Sequence, residues 1–218
     1  MDTVIKGFVR QCVVAIGVLA ALTVLLGLAY PAAVWGISRV NGHGAEGSQV
    51  TDASGCPVGS SLIGLDPHVA AGAPDPFLHA RVLGAAGEQP GTDNPMAPGD
   101  ASASAASNKG PNNDQLQQWI TQRRSIIAER ENVAPSAVPI DAVTGSGSGL
   151  DPHISPAYAE LQVPRLAREN QRSPQQIRDI IAAHTDGRQL GYLGQPVVDV
   201  LDVNLALGHT VKSCVPDR

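Results

Sequence analysis

Apolar positions fill residues 12–29 without a break except Thr23, and the run continues through Tyr30-Pro31-Ala32-Ala33-Val34-Trp35-Gly36-Ile37. At 1.5 Å per residue these roughly 18 to 26 residues are enough to span about 30 Å of hydrocarbon. Beyond this run the pattern breaks into short pieces. Two strand-like segments flank a turn at residues 52–55 and predict a hairpin. Leu116, Trp119, Ile120, Ile126 and Ile127 recur at helical spacing with Gln and Arg opposite, predicting a helix from about 114 to 131 that Asn112, Asn113 or Asp114 could cap. Ser155-Pro156 is an N-cap and N1 pair that starts a second helix, which Pro164 should kink or restart. Ser173-Pro174-Gln175-Gln176 carries a capping box, and Ile177, Ile180, Ile181 and His184 line one face of the helix that follows, with Gly187 placed to close it. Residues 191–196 read as a turn. Leu201, Val203, Leu205 and Leu207 alternate with Asp202, Asn204 and Ala206, which predicts a half-buried strand. The fold class is therefore α+β: a single N-terminal transmembrane helix followed by one mixed α+β extracytoplasmic domain.

The apolar run has the positive flank of a signal peptide, but it is longer than such an h-region. The bulky residues around Leu28-Ala29-Tyr30-Pro31 also make a poor cleavage site, so a retained anchor is expected. Tyr30 and Trp35 are rings that favour the membrane interface. Lys6 and Arg10 outweigh Arg39, which places residues 1–10 in the cytoplasm, the span at 11–37, and residues 38–218 outside the cell membrane. Gly17, Ala20, Ala21 and Gly27 are small residues in the span, with Gly17 and Ala21 four apart, a spacing that lets another helix approach closely. Residues 84–107 are mostly Gly, Ala, Ser, Pro and Asp and predict a surface loop with little to bury.

Composition narrows the function. Aromatic residues make up only 3% of the chain, so Val, Leu, Ile and Ala must build its core. The formal net charge is −5, and about −7 from Val40 onward, which argues against a nucleic-acid partner. No phosphate-binding loop and no dinucleotide fingerprint is present, so no cofactor is indicated by motif. Gly145-Ser146-Gly147-Ser148-Gly149 lacks the glycine that a nucleophile elbow needs two residues before its serine. The pentapeptide Gly64-Leu65-Asp66-Pro67-His68 recurs as Gly149-Leu150-Asp151-Pro152-His153. Asp66, His68, Asp151 and His153 would form a metal site if the two loops met, the mark of an anchored enzyme or metal-binding module; hydrogen-bonded Asp-Pro turns are the simpler reading. Disulfides persist outside the cytoplasm, which makes Cys56 and Cys214 candidates for a bridge.

The run from Val143 to Ala157, including Gly147, Gly149, Leu150, Asp151, Pro152, His153, Ser155 and Pro156, resembles a signature of the C-subunit family of Kdp potassium-transporting ATPases, KdpC. The likeness continues through Gln162-Val163-Pro164-Arg165, Gly194-Gln195-Pro196 and residues 200–207. Residues 107–113 and 58–64 also resemble family segments. At Leu78-His79-Ala80-Arg81-Val82-Leu83 only the His/Arg pair keeps the family's usual pattern. The resemblance implies a non-catalytic accessory subunit of a P-type ATPase complex in the cell membrane. It would aid assembly and raise the ATP affinity of the pump subunit, which itself hydrolyses ATP; a channel-like subunit would carry K⁺. The chain has no Asp-Lys-Thr-Gly phosphorylation motif. Because its large domain is expected outside the cell, any effect on ATP should be indirect. The signature loop would then be a partner-contact element, with the two Kdp subunits and membrane lipid as partners.

Overall fold

The computed structural model describes residues 2–64, 66–67, 69–70, 72–82, 95–96 and 100–209. The chain divides into two compact units, Met1–Ser48 and Gln49–Arg218.

The first unit is almost entirely helical. Helix α1 (Asp2–Val24) passes into a π turn (Leu25–Ala29) and then α2 (Tyr30–Ser38). In the π turn the Tyr30 N–H donates to the Leu25 carbonyl, just before Pro31. Proline has no N–H and its ring crowds the preceding turn, so a local widening accommodates it where a regular turn would be strained. A 3₁₀ turn (Arg39–Asn41) and the short α3 (Gly42–Ala45) follow, with Arg39 paired to Glu46 at 2.6 Å and packed over the Trp35 ring. Among the described residues, Thr3–Ala45 is the one helical stretch long and apolar enough to cross a membrane. None of its most apolar window is buried within the chain. So much apolar surface is costly in water, at about 25 cal/mol per Å².

Among the described residues, the second unit joins two small sheets to five α-helices. Strands β1 (Gln49–Thr51) and β2 (Pro57–Ser60) form the expected antiparallel hairpin. Its turn is tied by Asp52, whose Oδ1 accepts the N–H groups of Ser54 and Cys56 at 2.9 and 3.0 Å. Helix α4 (Asp114–Glu131) is capped by Asn113, which accepts the Leu116 N–H, and ends at Asn132 in the left-handed conformation. Helix α5 (Ile140–Val143) leads to strand β3 (His153–Ile154). Helix α6 (Pro156–Glu169) starts at the Ser155 cap and runs through Pro164 as one helix, neither ended nor restarted there. Helix α7 (Pro174–Ala183) carries the full Ser173–Gln176 capping box. Strand β4 (Thr185–Asp186), β5 (Val197–Asp199) and α8 (Val200–Leu207) complete the unit. The second sheet is antiparallel in the order β3-β5-β4, pairing His153 with Asp199 and Thr185 with Val198.

The core lies between this sheet and the helices. Ile127 of α4, Val143 of α5, Val163 and Leu166 of α6, Ile177 of α7 and Val203 of α8 are wholly buried in it. Burying each such side chain contributes about 1.5–3 kcal/mol.

Three local expectations are corrected. Residues 201–207 are a helix. Asp199 caps it by accepting the Asp202 N–H, Gly208 closes it at φ 92°, and Val200, Leu201, Val203, Asn204 and Leu207 face inward at helical spacing. The strand is the three residues before it. Helix α7 ends at the His184 cap rather than at Gly187, because Thr185 and Asp186 pair with β5. On α4, Ile126 is 41% exposed, while Arg123 is buried with its guanidinium over the Trp119 ring. Of the expected surface loop, residues 84–94 and 97–99 lie outside the described residues.

Candidate functional site

The signature residues sit at a corner where β3, α6 and the start of α8 meet an extended segment, residues 75–82. Among the described residues, that segment makes no sheet ladder. Its backbone groups are instead taken by side chains of distant helices and of a loop, and by one loop N–H. The Leu78 N–H donates to Asn204 Oδ1 at 2.7 Å, and Asn204 Nδ2 returns a bond to the Leu78 carbonyl at 2.9 Å. Gln162 does the same for His79, at 2.9 and 3.1 Å. Ala80 donates to Asp66 Oδ1 at 2.9 Å, and the Val82 carbonyl accepts the Ser146 N–H at 2.9 Å. Both carboxamides are buried, so each offers a paired donor and acceptor that mimic a neighbouring strand.

A charged network surrounds this seam. The His79 ring contacts Asp66 at 3.2 Å and Asp75 at 2.8 Å. Arg165 donates to the carbonyls of Asp75 and Phe77, to Gln162 and to the fully buried carboxylate of Glu131. Arg130 bridges Glu131 and the Tyr158 hydroxyl. Burial pushes the Asp75 carboxyl upward, but His79, Arg165 and Arg130 together hold it below the ordinary value. Buried charges are tolerated here because each is paired and hydrogen-bonded.

The glycine-rich corner is organised by Ser146. Its side chain is buried, and its Oγ accepts the N–H groups of Ser148, Gly149 and Asp151 at 3.2, 3.0 and 3.3 Å. A serine so occupied is a structural hub. Gly149 takes φ 73°, a region that other residues resist. The Arg81 guanidinium crosses to the corner, bonding the carbonyls of Thr144 and Gly145 at 3.2 Å and Asp151 Oδ2 at 3.0 Å. Ser155 and Pro156 begin α6, and Asp141 accepts the Ser155 N–H at 3.0 Å.

The two pentapeptides meet, through backbone: the Gly64 N–H donates to the Leu150 carbonyl at 2.7 Å. Their acids are separately engaged, Asp66 with His79 and Ala80, Asp151 with Arg81 and His153. Among the described residues no three His, Cys, Asp or Glu side chains gather as metal ligands. His68 lies outside the described residues. His153 stands between Asp151 at 3.6 Å and Asp199 at 4.0 Å. Asp151, then Asp199 and Asp186, raise the His153 pKa above its ordinary value against the opposing effect of partial burial. Burial raises that of Asp199. Cys56 is a disulfide cysteine, and its candidate partner Cys214 lies outside the described residues.

Sequence reasoning reached the corner and the His79/Arg81 pair but assigned no role to Gln162, Asn204, Arg165, Glu131 or Asp75. The available signal was a carboxamide at an inward position of a largely apolar helix face. Gln162 sits among Tyr158, Ala159, Val163 and Leu166, and Asn204 among Val200, Leu201, Val203 and Leu207.

Comparison with known proteins gives a consistent result. The family described as KdpC, the c chain of K⁺-transporting ATPase, matches residues 12–209. A potassium-transporting ATPase KdpC subunit of Kineococcus radiotolerans is 40% identical over 210 residues, covering 95% of this chain and 97% of the relative. The subunit of the same name from Koribacter versatilis is 39% identical over 197 residues, covering 89% and 92%. That of Mycobacterium tuberculosis strain H37Rv is 37% identical over 202 residues, covering 91% and 97%.

Proposed function

The chain belongs to the KdpC family, the c chain of K⁺-transporting ATPases, and on that premise we propose that it is a non-catalytic accessory subunit, anchored in the membrane by its N-terminal helix. It aids assembly of the complex and raises the ATP affinity of the subunit that hydrolyses ATP. ATP and K⁺ are substrates of the partner subunits, one a P-type pump and one channel-like. Residues 1–10 lie in the cytoplasm, 11–37 span the membrane, and 38–218 form the extracytoplasmic domain. The charge asymmetry of Lys6 and Arg10 against Arg39 supports that orientation. Since ATP is on the opposite face, the effect on its affinity passes through packed subunits.

The observation that carries this reading is a family match that runs through both the apolar helix and the second unit, from residue 12 to 209. The small residues of the helix support a role in packing. A Cβ added at Gly17 or Gly27 would meet nothing within 4 Å in this chain, so its own structure does not require glycine there. A face of Gly17, Ala20, Ala21 and Gly27 suits close approach by a partner helix. In the corner, the signature residues Gly147, Gly149, Leu150, Asp151, Pro152, His153, Ser155 and Pro156 shape a rigid surface fit for partner contact.

The test compares the ATPase complex purified with and without this chain. The expected result is a higher KM for ATP and a less stable assembly in its absence, together with loss of growth at limiting K⁺. A complex that assembles and hydrolyses ATP with unchanged KM would refute the role.

A further inference from the structure

The hairpin loop between β4 and β5, residues 187–196, sets three large apolar side chains among its Gly, Gln, Arg and Pro residues. Leu190 is 80% exposed, Tyr192 69% and Leu193 46%, all within four residues at its tip. Loops that face water are normally polar. This tip is also held in one shape. Gln189 and Leu193 exchange both backbone bonds at 2.9 Å, the Gly191 N–H donates to the Arg188 carbonyl at 3.1 Å, and the Tyr192 N–H to the Gln189 carbonyl at 3.2 Å. At the root, Arg188 turns back to bond the Gly194 carbonyl at 2.8 Å and Gln195 Oε1 at 3.0 Å. Leu190 takes φ 52°, an uncommon conformation for a branched side chain, and is followed by glycine-dependent bends at Gly191 and Gly194 that flank Tyr192 and Leu193. The N–H groups of Gln189, Gly191, Tyr192 and Leu193 are all bonded within the tip, which presents Leu190, Tyr192 and Leu193 to solvent: a preorganised knob.

We propose that Leu190, Tyr192 and Leu193 form a docking knob that inserts into an apolar pocket on another chain of the K⁺-transporting ATPase complex. This rests on the reading above that the chain is a subunit of that complex. Charge argues against a lipid surface. The chain carries about −7 from Val40 onward, and the one basic side chain of the loop is folded back on Gly194 and Gln195, so an anionic bilayer would repel the domain rather than hold it. Area argues against a second copy. The three side chains offer roughly 350–400 Å², and two such tips meeting would bury about 800 Å² in total, the scale of a lattice contact rather than of a stable dimer. As the anchor of a larger interface with a different chain, a rigid aromatic and two leucines suit the centre of the contact, where preorganisation spares the cost of ordering a loop.

The experiment uses the full chain expressed with the other chains of the complex. Tyr192→benzoylphenylalanine, irradiated in native membranes, is expected to form its adduct with another ATPase chain. An adduct with lipid or with a second copy overturns the proposal, as does the absence of any adduct. In parallel, Leu190→Asn/Tyr192→Ser is expected to cut recovery of the partner chains at least tenfold in detergent while leaving the thermal midpoint of the isolated subunit unchanged. Asparagine tolerates the left-handed conformation at 190, so the loop keeps its shape. Recovery equal to that of the unmodified chain refutes the knob alone. Failure of the unmodified chain to recover any ATPase chain overturns the subunit reading with it.

Discussion

Replacing Asn204 tests whether side-chain amides do hold residues 75–82 in place of a strand. In Asn204→Leu the volume is nearly kept, but the N–H and carbonyl of the wholly buried Leu78 lose their partners. Each buried unsatisfied group costs about 1–3 kcal/mol, or about 2–6 kcal/mol for the pair, offset by about 1 kcal/mol from the added apolar surface. A net loss near 3 kcal/mol is large against a total of about 5–15 kcal/mol and should lower the thermal midpoint by about 6–12 °C. The assay is thermal unfolding of the full chain in detergent, followed by circular dichroism. Asn204→Asp sharpens the test. Its carboxylate still accepts the Leu78 N–H but sets a second oxygen against the Leu78 carbonyl, so it should be the less stable variant at neutral pH. Acidification should restore part of the loss, because a protonated carboxyl regains a donor. Gln162→Leu acts on the adjacent residue, and the double variant should lose less than the sum of the two, since a released segment has less left to lose. A midpoint for Asn204→Leu within about 2 °C of the unmodified chain would show that the two bonds do not hold the segment.

Three further outcomes follow from the corner and its surroundings. His153 has a raised pKa in the folded chain, so its contribution is fully present below the ordinary value of 6.5 and is lost as pH rises through the higher folded value. The stability gap between His153→Gln and the unmodified chain should therefore be widest in mild acid and close in alkali; a gap independent of pH across urea titrations would contradict the pairing with Asp151 and Asp199. Gly149→Ala should cost about 1–2 kcal/mol from φ alone, read as a lower unfolding midpoint, whereas Gly147→Ala, with open space around it, should be near neutral. Non-reducing peptide mapping should recover Cys56 linked to Cys214, and recovery of Cys214 as a free thiol would exclude that pairing.

What the sequence determined by itself are the features written in neighbouring residues. The apolar run needs only its own length and composition to form a membrane-type helix. Asn113, Ser155 and Ser173 start their helices because each cap accepts the N–H three residues ahead, and Asp52 closes its turn by accepting those two and four residues ahead. The signature corner was legible for this reason too, its glycines and prolines restricting the backbone locally. Tertiary structure decided the rest. Residues 201–207 carry an alternation suited to a strand, yet the Asp199 cap, the Gly208 close and an inward face built around Asn204 make them a helix. Arg123 reads as a solvent-facing residue until Trp119 and the surrounding chain cover it. Gln162 and Asn204 act on backbone 83 and 126 residues away, a relation no local pattern encodes. A buried carboxamide is stable only where a distant segment brings the donor and acceptor it lacks. The partner for each of these groups exists only after the chain has folded.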